Sequence, residues 1–77
     1  MNFKIVKYFP PNREGDVAEL NVDHNGTLVD IPAEVFREEG ELRIRIFPPT
    51  EAAARQYTLD EWLEAIQRAV EVLGPEG

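Results

Sequence analysis

Apolar positions recur along this chain with two periods, and the change of period separates a sheet-forming part from a helix-forming part. "ELRIRIF" (41–47) alternates strictly: Leu42, Ile44 and Ile46 share one face, Arg43 and Arg45 the other, as in a strand with one wet side. "VAELNVDHNGTLVDI" (17–31) alternates on both sides of Asn25-Gly26, a dipeptide that supplies the positive φ angles of a two-residue type I′ loop. That loop predicts the pairs His24–Thr27, Val22–Val29 and Leu20–Ile31 on one face. Asn21, Asp23 and Asp30 then lie on the other, with Leu28 the one apolar exception. "NFKIVKYF" (2–9) is β-branched and aromatic on both faces, Phe3, Ile5 and Phe9 on one, Val6 and Tyr8 on the other. This predicts a strand inside the sheet or under an interface. It stops at Pro10-Pro11, and "NREG" (12–15) reads as a turn.

The remaining segments read as helix. In "IPAEVFREEG", Pro32 suits a first helical position, acids follow it and Gly40 suits a stop, which predicts one or two helical turns over 32–39. "TEAAAR" (50–55) is read as a possible further turn. The C-terminal helix spans 58–73. Thr58 and Glu61 form a capping box, Tyr57 and Trp62 are spaced for a hydrophobic staple, and Gly74-Pro75 ends the helix. Leu59, Trp62, Leu63, Ile66, Val70 and Leu73 form a stripe at helical spacing, with Ala65 and Ala69 beside it. Four strands with one apolar face need a cover, and only this helix is long enough to supply it. The expectation is an α+β roll: a small antiparallel sheet of about four strands, a short helical turn at 32–39, and the amphipathic helix packed on the sheet. Trp62 is expected against Leu42, Ile44 and Ile46.

Composition narrows the setting. The 77 residues make one small domain (1–77), near the lower limit for a self-supporting core. The absence of cysteine removes disulfide staples, thiolate catalysis and cysteine-ligated zinc, and points to a cytoplasmic protein. No apolar run approaches the roughly 20 residues that span a bilayer, so no membrane association is expected. Eight basic against fifteen acidic side chains give a net charge of −7, which disfavours nucleic acid and favours a basic protein partner.

Catalytic constellations are sparse. The chain has no serine, and Gly15, Gly26 and Gly40 stand too far apart for a phosphate loop. His24, flanked by Asp23 and near Asp30, is the only imidazole and reads as a solvated turn residue more than a metal ligand. Glu38, Glu39 and Glu41 read as a solvated acidic face. Neither catalytic, metal nor cofactor-binding residues are expected, and an enzyme is not. Arg43 and Arg45 could touch phosphate as two-stranded readers do, but more often such arginines pair with neighbouring glutamates. The candidate partner-binding residues are Arg43 and Arg45 with Tyr57, Trp62, Glu64 and Glu71.

Two resemblances bear on function. "YTLDEWLEAI" resembles the opening of the toxin-binding helix of MazE-type antitoxins, and "VDIPAEVFREEGELRIRIF" resembles their AbrB-like strand, proline-started helix and strand. That resemblance implies toxin binding; the Gly-Asp turn and basic excess of a DNA-binding domain are missing. "GTLVDIPAEVFREEGELRIRIF" also resembles a stretch of small β-rich phage virion modules, which implies a structural or attachment role. Both families bind proteins and travel on mobile elements. The expected function is a small acidic protein-binding module, first an inhibitor or antitoxin-like partner of a basic protein. A phage structural protein is second, a β-ribbon nucleic-acid binder a remote third, and a homo-oligomer is possible.

Overall fold

A computed structural model describes residues 2–11, 15–48 and 56–75. Strands β1 (Asn2–Tyr8), β2 (Val17–His24), β3 (Thr27–Glu38) and β4 (Glu41–Ile46) form one antiparallel sheet in the order β1-β2-β3-β4. Helix α1 (Leu59–Leu73) packs across one face of it. The α+β architecture expected from the alternation and the terminal stripe is the one observed. The turn expected at 50–55 lies outside the described residues, as does all of the turn expected over 12–15 except Gly15.

The helical turn expected at 32–39 is absent; β3 runs unbroken through that segment to Glu38. Pro32, Val35 and Phe36 have helical spacing, but tertiary pairing overrides it. Val35 faces α1 between Ala18 and Ile44, while Phe36 turns to the opposite face between Val17 and Arg43. Pro32 is tolerated because its nitrogen faces Phe47, one residue past the last residue of β4, so its missing N–H falls beyond the β3–β4 ladder. Its carbonyl still accepts from Phe47 N at 2.9 Å. Gly40 belongs to a second two-residue hairpin turn, Glu39-Gly40, with both residues at positive φ (52° and 78°).

The first hairpin keeps its turn but not its register. Asn25 and Gly26 take φ of 52° and 79°, and His24 faces Thr27 as expected. Beyond that pair two irregularities each add a residue to β3, so Val22 faces Asp30, not Val29, and Leu20 faces Ala33, not Ile31. Such bulges bend the strand that carries the extra residue. Ala33 opposite Leu20 also leaves room for the helix, which enters through its own small residues, Ala65 and Ala69, both fully buried.

On the helix side the core comprises Phe3, Ala18, Leu20, Val22 and Val35 with Ala65 and Ala69. Thr58 caps α1 as expected: its Oγ1 accepts from Glu61 N (3.2 Å) and donates to Glu61 Oε1 (2.7 Å). Tyr57 and Trp62 stack at 5.6 Å, and both meet Phe3 edge-on at 5.0 and 5.9 Å. Trp62 therefore seats on β1, not on Leu42, Ile44 and Ile46, and α1 makes no close approach to β4. β1 is an edge strand, not an inner one. Its two apolar faces are explained by α1 on one side and by Tyr8 beside the buried Val17 on the other.

Candidate functional site

The face of the sheet opposite α1 carries Tyr8, Val17, Glu19, Asn21, Glu34, Phe36, Arg43 and Arg45, by the cross-strand register. The two bulges bend the Leu28–Ile31 half of β3, which walls a cavity of about 480 Å³ on this face. Its apolar lining comes from Leu28, Val29 and Ile31 of β3 and from Tyr8, Phe47 and Pro48. Glu19, Glu34 and Asp30 supply the polar part.

Those carboxylates differ in what already holds them. Glu34, only 4% exposed, takes the Tyr8 hydroxyl at 3.2 Å on Oε2 and Arg45 Nη1 at 3.4 Å on Oε1. Arg45 lies over the Phe36 ring, 5.3 Å from its centroid, which fixes the guanidinium over apolar carbon. Asp30 accepts from Ile31 N (2.9 Å) and from the Tyr57 hydroxyl (3.2 Å), tying the bulge to the helix entry. Glu19 faces Glu34 directly across the ladder and has no ion pair among the described residues. Burial pushes its carboxyl above the ordinary range, the Glu34 charge adds to this, and a hydrogen bond from Asn21 opposes both. The buried Asn21 spends its amide there, and its Oδ1 has no hydrogen-bond partner among the described residues. The cavity thus combines apolar walls with a surplus negative charge on Glu19, an arrangement that accepts a cation carrying an apolar stem.

The structure separates the six expected partner-binding residues. Arg43 and Arg45 lie on the cavity face, and each pairs with a glutamate as expected: Arg43 with Glu41 at 3.2 Å, Arg45 with Glu34. Tyr57 and Trp62 are half-buried against Phe3, where they hold the helix down. Glu64 and Glu71 are exposed on α1. His24 is exposed at the hairpin tip, and no group of three or more metal-ligating side chains occurs among the described residues. No helix among these residues is long and apolar enough to cross a membrane.

Sequence reasoning missed Glu19, Glu34 and Tyr8 as a set, because a two-residue register change brings them to the bent half of β3. One signal was present: Leu28, the apolar misfit on the polar face, is a cavity wall. Comparison with protein-family models, curated proteins and solved structures finds no match.

Proposed function

We propose that this protein is a small acidic protein-binding module, non-enzymatic, whose partner is basic: an inhibitor or antitoxin-like protein. The observation that carries this reading is the cavity beside Glu19, where a carboxylate lacking a cation among the described residues lies among Tyr8, Leu28, Val29 and Phe47. A lysine or arginine side chain fits that chemistry: its charge neutralises Glu19 and its methylenes cover the aliphatic wall. The net charge of −7 supports the same polarity of partner over longer range.

The test uses a stand-in for such a side chain. Titrating the protein with N-acetyl-arginine amide at low salt should shift the backbone amides of Glu19, Leu28 and Val29, and Glu19→Gln should abolish those shifts. Amides unmoved at millimolar ligand would refute the reading. A second reading, a phage structural protein, is favoured by one feature: β4 is an edge strand with apolar side chains in the open, suited to assembly.

A further inference from the structure

The two edges of the sheet differ in kind. β1 carries Lys4 and Lys7, and the Arg68 guanidinium from α1 donates to the Phe3 carbonyl at 3.2 Å, so charge and helix both guard it. β4 has no lysine, no proline and no register irregularity against β3, and α1 stays clear of it. Leu42, Ile44 and Ile46 are 48%, 41% and 66% exposed. Arg68 and Leu63 lie on opposite flanks of α1. Since Arg68 reaches β1, the exposed Leu59 and Leu63 turn toward the β4 side. Among the described residues, an apolar floor with an apolar wall is left open beside a strand with no neighbour on its outer side.

We infer that β4 pairs antiparallel with β4 of a second copy of this chain, joining two sheets into one with both helices on the same face. The backbone permits it. Glu38 and Glu41 close a two-residue loop, so residues 41, 43 and 45 bond inward to β3 and residues 42, 44 and 46 turn their N–H and C=O outward. Only registers that oppose even residues to even residues use those groups.

Charge then selects among them. Centring the twofold axis on Ile44 sets Arg43 against Arg45 of the second copy, twice, which is repulsive. Centring it on Leu42 draws Glu39 and Gly40, held at positive φ in the turn, into the ladder. Centring it on Arg43 opposes the two Arg43 side chains once. It also sets Ile44 opposite Leu42 and Arg45 opposite Glu41 of the second copy, and the reverse, so two opposite-charge pairs outweigh one like-charge contact. Each Arg43 keeps its own Glu41 at 3.2 Å, and each Arg45 its own Glu34. The acids and arginines of that face then balance. β4 bears one acid and two arginines, so two copies of net charge −7 can meet there with no acid set opposite an acid. A basic partner is ill suited to the same edge, because Arg43 and Arg45 flank it.

This surface is distinct from the Glu19 cavity, so either proposal can fail alone. Sedimentation equilibrium over a concentration series at 150 mM salt reads it out. The wild type should interconvert between monomer and dimer. Ile44→Pro removes an outward N–H while sparing the inward ladder, and should yield a monomer with the wild-type circular dichroism spectrum. Glu41→Lys should raise the dimer Kd roughly tenfold through lost cross-strand pairs, with no change in fold. A wild type that stays monomeric to millimolar concentration, or a dimer that survives folded Ile44→Pro, would overturn the inference.

Discussion

Truncating Trp62 and truncating Ile46 should have very different consequences, and the contrast locates the helix. Trp62 is half-buried, 5.9 Å from the Phe3 ring and 5.6 Å from Tyr57. Each aromatic pair contributes about 0.5–1.5 kcal/mol beyond burial, and truncating a packed tryptophan costs about 3–5 kcal/mol. Partial exposure sets Trp62→Ala near the lower end, about 3 kcal/mol. At roughly 0.05–0.15 kcal/mol per residue, a 77-residue chain holds about 4–12 kcal/mol in all. The substitution therefore removes about a quarter or more of the total. Ile46 shares a face with the core but is 66% exposed and lies clear of α1, so Ile46→Ala should cost under about 1 kcal/mol. Urea melts followed by far-ultraviolet circular dichroism, at protein concentrations low enough to keep the chain monomeric, give both values. Equal costs for the two variants would mean that α1 lies over β4 and that the Phe3 seat is wrong.

Gly26→Val should lower stability by about 1–2 kcal/mol, because a β-branched residue resists φ of 79°; an unchanged melting temperature would refute the type I′ loop. Glu39→Asn should raise stability by about 0.5 kcal/mol, since asparagine tolerates the left-handed conformation at φ 52° better than glutamate, as thermal melts would record. Glu19 binds its proton more tightly folded than unfolded, so its ionisation destabilises the fold as pH rises through the raised value. Glu19→Gln should thus raise the melting temperature at pH 7, and that advantage should fade as pH falls toward the ordinary value of 4.5; a gain that persists below it would point to packing instead.

Much of the fold is legible in local pattern. The strict alternation of 41–46 and the cap, stripe and stop of α1 match the observed elements because one-sided burial writes itself into the sequence at the period of the element. Residues 32–38 misled because Pro32, two acids and a glycine satisfy helical end rules. The reasons for strand there, the partners β2 and β4 on either side, are not local. The hairpin register failed for a related reason: a type I′ loop fixes its first pairs, and the two bulges further along leave no mark in the turn that starts the hairpin. The cavity inherits that shift, so Glu19 and Glu34 could not be brought together from spacing alone.

The Phe3 seat also orders events during synthesis. Every strand pairs with its neighbour in the chain, so the meander closes only short loops and can form as it is made. The rings and guanidinium that cover Phe3 arrive after the sheet, Arg68 being 65 residues further on. Until residues 59–73 emerge from the ribosome, Leu20, Val22 and Phe3 stand bare on a finished sheet. A nascent chain paused before that point presents a sticky surface to chaperones and to its neighbours on the same message, and emergence of α1 is the step that makes it safe.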